Sequence, residues 1–317
     1  MAVTAPARPG PDRRPAPAPP RRRRLSSSAA RTGWIYLSPT LAVVGLVTLF
    51  PIAFSIAMSF SKVELGYTGF ALTGFTTDNY AALFSSGRWA YAALFTIFYT
   101  VVTVVIELIL GTLVALVLER LTSWRGWMMA LLLIPWAMIT VISAQLWSYL
   151  YNSAYGAVSW VFGLFGGDPV ILGEPASAIT AMMVADIWKT TPFVAIIVLA
   201  GLVAIPGDVY EAAELDGANA WQTFWQVTLP QLSATLAIAV LFRVLQAFGV
   251  FDLPFVLTGG GPGTSTESLA LLGWKVMFQS LNLGTGAAVA VTTGALVLIA
   301  CLLSLRAFRS QVNEEKP

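Results

Sequence analysis

The sequence contains no histidine, one cysteine and few charged residues. Its 317 residues are 57% hydrophobic and 11% charged, whereas soluble domains carry about 25% charged residues. So few charges cannot cover a water-facing surface, and this excludes a soluble globular fold. The missing histidines exclude His-based catalysis and His-ligated metals. Cys301 by itself forms neither an internal disulfide nor a Cys-cluster metal site.

No lysine completes a Gly-x-x-x-x-Gly-Lys phosphate-binding loop. If ATP drives this protein, another chain must therefore bind it. An enzyme embedded in a membrane would also need a cluster of nucleophile, base or metal ligands, and the sequence offers none. We therefore predict no catalytic residues, no metal site and no cofactor in this chain.

Six long apolar runs divide the chain. A helix needs about 20 mostly apolar residues to cross a bilayer, and each run reaches that length, whereas a barrel would show alternating segments of about ten residues. The sequence thus predicts an all-α polytopic membrane protein with six transmembrane helices. The predicted spans are residues 34–60, 91–118, 127–151, 178–204, 232–251 and 283–305.

Positive charge predicts the orientation. With the N-terminus inside, thirteen Lys and Arg residues fall in inside segments and three in outside segments, which favours cytoplasmic termini. Residues 1–31, rich in Pro and Arg, are predicted to form a disordered tail. Residues 21–24 of this tail are four arginines. Beside the first span they are interpreted as a signal that keeps the tail in the cytoplasm, and not as a nucleic-acid binding site. Residues 32–310 form the predicted six-helix transmembrane domain, and residues 311–317 a second cytoplasmic tail.

The inside loop 205–230 carries strong local signals. Asp208 suits the start of a short helix, and Gly217 suits its left-handed end. Beyond it, Trp221, Phe224 and Trp225 share one helical face. A two-turn helix is not stable alone in water, so it needs either a groove in a partner or the membrane surface.

The same loop carries a spaced motif. It reads Glu211-Ala212-Ala213, then Gly217, then an apolar residue before Leu229-Pro230. This pattern resembles the Glu-Ala-Ala loop of ABC importer permeases, particularly those for maltose, trehalose and glycerol phosphate. The resemblance implies a type I importer permease fold. It also implies that residues 205–230 form a coupling loop, in which Glu211, Ala212, Ala213, Asp216, Gly217, Leu229 and Pro230 engage an ATPase subunit.

The resemblance implies an assembly as well. It predicts a second homologous permease as heterodimer partner, two ATPase subunits that bind ATP and Mg, and an external sugar-binding protein, with membrane lipids around the spans and no nucleic acid. The sequence alone leaves a homodimer open. It predicts a multi-pass protein of the inner, or plasma, membrane.

The fourth and fifth predicted spans each carry a polar face. Polar and ionisable residues inside a membrane face a cavity or a partner. The substrate-binding residues predicted on these faces are Asp186, Lys189, Thr190, Phe193, Arg243, Gln246, Ala247 and Val250. Mixed polar and aromatic walls suit sugars. The alternatives are an Asp186–Lys189 pair, an acid or a lipid phosphate opposite Arg243, and plain packing for Phe193. Glu107 is predicted as a buried polar partner at a subunit interface.

The predicted function is import of a sugar by alternating access, with a disaccharide such as trehalose or a maltose-like sugar as substrate. The alternative is an ion-coupled secondary transporter, although such proteins usually show internal repeats and none is evident. On the outer side, residues 61–89 are predicted as a loop. Residues 257–266 are predicted either as a flexible connector or as a loop that meets the binding protein or the pore.

Overall fold

The computed structural model describes residues 27–67, 69–121 and 123–314. The chain divides into two compact units, Met1–Ile52 and Ala53–Pro317. In the first unit, α1 (Ser27–Val44) is followed by a π-helical turn (Gly45–Leu49) and the start of α2 (Phe50–Ser59). The α1 helix begins inside the predicted tail 1–31, so residues 27–31 are helical. The rest of that tail lies outside the described residues.

A short hairpin and a helix follow α2. Strands β1 (Ser61–Gly66) and β2 (Gly69–Phe75) pair antiparallel, and α3 (Asp78–Ser85) comes next. The predicted loop 61–89 is therefore largely regular structure. Val63 lies opposite Leu72, and Leu65 lies opposite Phe70, so one face of the hairpin is apolar. This alternation of period two was present in the sequence but spans few residues.

The third predicted span is broken. Helix α4 (Gly87–Arg120) is continuous, but α5 (Arg125–Ala137) and α6 (Thr140–Leu150) meet at 89°. Met138 and Ile139 have extended backbones at the break, so the third predicted span, 127–151, is a bent pair of helices. Pro135 lies in the last turn of α5, where its missing N–H and its ring weaken the helix. The short helix α7 (Ala157–Leu164) follows.

The centre of the chain contains the predicted coupling loop. Helix α8 (Pro175–Val203) leads to α9 (Gly207–Leu215), then to α10 (Ala220–Thr223), a π-helical turn (Phe224–Thr228) and α11 (Leu229–Gln231). Helix α12 (Ser233–Phe248) turns away by 66° from the segment 220–231. The predicted fifth span is thus the straight part of a bent pair.

The last part of the chain has one long helix. Helices α13 (Asp252–Leu257) and α14 (Leu269–Trp274), with a π-helical turn (Lys275–Gln279), precede α15 (Leu283–Glu314). The α15 helix continues past the predicted domain end at residue 310, and residues 315–317 lie outside the described part. Among the residues that the structure describes, four single helices and two bent pairs are long and apolar enough to cross a membrane, in agreement with the six predicted spans.

Within the second unit, α4 packs against α8 and α12. Gly111 makes the α4–α8 approach possible, because a Cβ there would lie 2.6 Å from the Cγ1 of Val194. Leu118, Val198 and Leu232 belong to one buried cluster at this contact. The close packing fixes the rotation of the three helices about their axes, and so decides which side chains face each other.

Candidate functional site

Three ionisable side chains from three helices meet in the interior. The side chains of Glu107 on α4 and Arg243 on α12 are 0% and 2% exposed, and Asp186 on α8 is 13% exposed. The Nη2 of Arg243 donates to Glu107 Oε1 at 2.8 Å and to Asp186 Oδ2 at 3.1 Å, while its Nε donates to Glu107 Oε2. We call Glu107, Asp186 and Arg243 the buried charge cluster.

Two neutral side chains complete this cluster. The hydroxyl of Thr190 donates to Glu107 Oε1 at 2.5 Å and also lies 2.7 Å from the backbone carbonyl of Asp186. The Nη1 of Arg243 donates to Gln246 Oε1 at 3.0 Å. All three nitrogens of the guanidinium therefore have acceptors within the chain, which a buried charge requires.

Two members of the buried charge cluster, Asp186 and Arg243, line an open cavity of about 350 Å³. Seven of the eight predicted substrate residues line it, all except Phe193, and Trp136, Thr140, Phe251 and Asp252 complete most of the wall. The volume lies near the lower end of the range of about 300–1,000 Å³ found for small-molecule sites. The structure thus brings the polar faces of α8 and α12 together around one space.

The aromatic residue predicted for that face lies elsewhere. Phe193 stacks on Trp136, with ring centroids 5.4 Å apart and 10° between the planes, and it meets the edge of Phe242. Trp136 is the residue of this group that reaches the cavity. The packing interpretation of Phe193 therefore fits its position, since its neighbours are aromatic side chains of α5 and α12.

Among the alternatives for the charged residues, the structure selects one. Asp186 pairs with Arg243 and not with Lys189 within the described part of the chain, and the acid opposite Arg243 is Glu107. The expectation that Glu107 serves a subunit interface was wrong, because both carboxylate oxygens are used inside this chain. Sequence reasoning missed the pair, although a lone acid in one apolar span and a lone Arg in another were a usable signal.

At one end of the bundle, α9 displays the Glu-Ala-Ala motif. Glu211, Ala212 and Asp216 are exposed and Ala213 is buried. Leu215, which the sequence analysis did not single out, is 89% exposed. A short helix thus presents an acidic and apolar surface that the described residues of this chain leave exposed.

The end of α9 has a defined geometry. Gly217 has φ +78°, as predicted for a left-handed C-terminal residue. The N–H of Gly217 donates to the carbonyl of Glu214, and the N–H of Ala218 to that of Ala213, both at 3.0 Å. These two bonds form a Schellman motif. The predicted cap at Asp208 lies instead in the first turn of α9, where an acid favours the positive end of the helix dipole.

The second part of the predicted coupling loop begins with its own cap. Asn219 accepts from the N–H of Gln222, and the side chain of Gln222 accepts from the N–H of Asn219, a capping box. Trp221 and Trp225 are 71% and 50% exposed and contact each other edge to face. Leu229 and Pro230 are half-buried at the start of α11. The spaced motif therefore has two parts. Its Glu-Ala-Ala part lies on the exposed helix α9, and its Leu-Pro part lies in the half-buried segment that leads into α12.

A second buried charge lies at the opposite end of the bundle. Glu267 is fully buried and accepts two hydrogen bonds from Arg88, at 2.7 and 2.8 Å, while Lys275 Nζ lies 2.9 Å away. Burial acts to raise the pKa of the Glu267 carboxyl, but the hydrogen bonds from Arg88 and Lys275 outweigh it and hold that pKa below its usual value.

These bonds organise the glycine-rich segment that precedes Glu267. Lys275 Nζ donates to the Gly259 carbonyl at 2.8 Å, Tyr91 bonds the Ser265 carbonyl, and the hydroxyls of Thr258 and Thr266 lie 2.6 Å apart. A segment held by this many hydrogen bonds is an ordered structure. The interpretation of residues 257–266 as a flexible connector therefore fits the structure poorly.

Metal chemistry finds no support in the described ranges, where no three His, Cys, Asp or Glu side chains are grouped as a metal site. Membrane-length helices around a polar cavity, with a motif-bearing surface loop, define instead a polytopic transport protein. Residues 74–313 match the family described as binding-protein-dependent transport system inner membrane component. The chain belongs to that family.

Relatives match along most of both chains. The trehalose/maltose transport system permease protein MalF of Thermococcus litoralis is 37% identical, over 90% of this chain and 96% of its own. The trehalose transport system permease protein SugA of Mycobacterium tuberculosis is 31% identical, over 90% and 92%. The sulfoquinovosyl glycerol permease protein SmoG of Agrobacterium fabrum is 34% identical, over 87% and 90%.

The fold is also found in a solved structure. A bacterial ABC transporter that imports the acidic polysaccharide alginate contains a chain with TM-score 0.76 and 20% identity, which covers 89% of this chain and 98% of that one. This confirms the predicted permease fold. The protein is therefore a multi-pass inner membrane component, the permease of a binding-protein-dependent ABC transporter. It is not itself an ATPase, since in this family ATP is bound by a partner subunit.

Proposed function

We propose that this permease carries a sugar into the cytoplasm, with a disaccharide such as trehalose or a maltose-like sugar as substrate. The cavity between α8 and α12 is the observation that carries the proposal, because its lining combines charged, amide and aromatic groups. Sugar hydroxyls take hydrogen bonds from such polar groups, and the apolar ring faces suit aromatic walls. The sugar-permease relatives at 31–37% identity support the same substrate class.

In this proposal the cavity residues have distinct roles. Lys189 and Gln246 form hydrogen bonds with sugar hydroxyls, and Asp186 accepts hydrogen bonds from sugar hydroxyls. Ala247 and Val250 leave room for the sugar ring. Thr190 and Arg243 act from the wall, since their polar atoms already bond Glu107. Trp136 takes the aromatic role predicted for Phe193.

The substrate proposal is tested with Lys189→Met, which keeps the apolar stem and removes the charged donor. The complete transporter is reconstituted in liposomes, and ATP-dependent uptake of trehalose and of maltose is measured. A hydrogen bond to a charged group contributes about 1.5–3 kcal/mol, so we expect KM to rise at least tenfold, by roughly that free energy. Lys62→Met, at an exposed position of β1, is the matched control.

Three outcomes would contradict the substrate proposal. Wild-type liposomes that take up neither sugar would exclude the substrate class. An unchanged KM in Lys189→Met would remove this residue from the site. Sugar uptake that does not depend on ATP and is abolished by a protonophore would favour the ion-coupled alternative.

For energy coupling, we propose that α9 docks in a cleft of an ATPase subunit on the cytoplasmic side, with both termini on that side. Glu211 makes a charge-assisted bond there, and Leu215 fills an apolar pocket. ATP binding then draws the docked helices of two permeases together and turns the cavity outward, a rigid-body transition. The second permease is a homologous chain, and an external sugar-binding protein delivers the substrate.

Glu211→Ala tests the coupling. We expect uptake to fall at least tenfold and ATP hydrolysis to lose its dependence on substrate, because the lost charged bond contributes about 1.5–3 kcal/mol. Glu174→Ala, at an exposed acid before α8, is the control and should leave both unchanged. Equal uptake by Glu211→Ala and wild type, at equal amounts in the membrane, would refute the docking role.

A further inference from the structure

We propose that Glu107 determines substrate specificity, by neutralising Arg243 and so excluding anionic solutes from the cavity. The inference rests on the proposed function of this cavity in sugar transport and adds a positioning residue to it. Glu107 lies behind the cavity wall and does not line it. Its effect on the substrate is therefore exerted through the guanidinium that it holds.

The donor count of Arg243 is the first argument. Its Nε and one Nη2 hydrogen go to Glu107, the other Nη2 hydrogen goes to Asp186, and one Nη1 hydrogen goes to Gln246. A guanidinium has five N–H donors, so one is left. Strong recognition of a carboxylate or phosphate uses two parallel N–H bonds, and Arg243 cannot supply them while Glu107 is in place.

The charge balance is the second argument. The cavity is lined by two cationic side chains, Lys189 and Arg243, and by two carboxylates, Asp186 and Asp252. Glu107 adds a third carboxylate in direct contact with Arg243. Among the described residues around this space, carboxylates thus outnumber cations. An anion that left water for this site would find no excess positive charge to offset its lost hydration.

A neutral polyol meets the opposite conditions. The Asp186 side chain is partly exposed at the cavity, and its hydrogen bond to Arg243 uses Oδ2. The exposed carboxylate of Asp252 and the exposed amide of Gln246 also reach this space. Hydroxyl groups donate to such acceptors, whereas a fully ionised carboxylate or phosphate group has no proton to donate. The same walls that repel a charged sugar therefore bind an uncharged one.

Glu107→Gln tests this directly, because it keeps the size of the side chain and removes its charge. The membrane complex, without the binding protein, is placed in lipid nanodiscs. Equilibrium binding of trehalose and of trehalose 6-phosphate is then compared, since the two probes share one disaccharide and differ by an anionic group. We expect the wild type to prefer trehalose, and Glu107→Gln to reduce that preference about tenfold by freeing Arg243.

Two further variants separate this role from a structural one. Glu119→Gln makes the same change at an exposed position of the same helix and should retain the wild-type preference. The double variant Glu107→Gln with Arg243→Gln removes both charges. It should restore the preference for trehalose, because the guanidinium is gone and Lys189 is then outnumbered by the carboxylates of Asp186 and Asp252, and it still tests the inference if the single variant fails to fold.

The outcomes divide clearly. A preference for trehalose that is reduced in Glu107→Gln and returns in the double variant supports the inference. When the single variant does not fold, the supporting result is a double variant that prefers trehalose. Equal wild-type binding of both probes would overturn it, as would an unchanged preference in a folded Glu107→Gln or a double variant that favours the phosphate. If the wild type binds neither probe, the proposed function fails with it.

Discussion

The interior charge cluster and the coupling loop use acidic residues in opposite ways. Glu107 is fully buried, and both of its oxygens bond Arg243 within the chain. Glu211 is exposed at the surface of α9, next to Ala212, which is also exposed. Glu107 has its partner within this chain, whereas Glu211 is placed to bind a partner on another subunit. Mutations should therefore act on stability at the first site and on coupling at the second.

The largest effect on this comparison is expected for Glu107→Ala. Removing one partner of a buried ion pair costs about 3–5 kcal/mol, because Arg243 keeps its charge at 2% exposure. Thermal unfolding of the purified protein in detergent measures the loss. The pair Glu107→Leu with Arg243→Met should lose much less, since no charge remains buried. Equal destabilisation by the single and double changes would show that packing, and not charge, dominates.

A smaller effect is expected at the end of α9, for Gly217→Ala. Nothing lies within 4 Å of a Cβ at this position, so the cost comes from φ +78° and amounts to about 1–2 kcal/mol. We expect uptake to fall several-fold because the Schellman end of α9 is weakened. Gly217→Asn should retain more activity, since Asn tolerates this conformation. Identical uptake by Ala and Asn variants would argue against a conformational role.

The smallest effect is expected at the opposite end of the bundle, for Glu267→Gln. The pKa of Glu267 is held below its usual value. Its ionised form therefore stabilises the fold above about pH 4.3, and this contribution is lost as the pH falls through the folded-state pKa. We expect a Tm lower by a few degrees at pH 7, and a difference from wild type that shrinks on acidification towards pH 3.

Glu119→Gln, at an exposed position of α4, is the control for this pH series. It should follow the wild-type curve throughout. A Tm difference between wild type and Glu267→Gln that stayed constant from pH 7 to pH 3 would contradict an ionised Glu267 as its source.

The sequence could predict the parts that depend on local pattern. Apolar length gave the six spans, and helical spacing grouped Asp186 with Lys189 and Arg243 with Gln246, all of which line one cavity. Gly217 was recognised as the left-handed end of a short helix because few other residues adopt that conformation. These features depend on neighbours within a few residues, which the sequence shows directly.

The tertiary structure decided the rest. Arg243 could meet any acid until α4, α8 and α12 were packed, and its partner is 136 residues away. Trp136, near the break at Met138 and Ile139, lines the cavity, and Phe193 stacks on that ring instead of lining the space. Periodicity fixes which residues share a face of one helix. Only the packing of several helices fixes what that face meets, because it depends on their rotation and relative height.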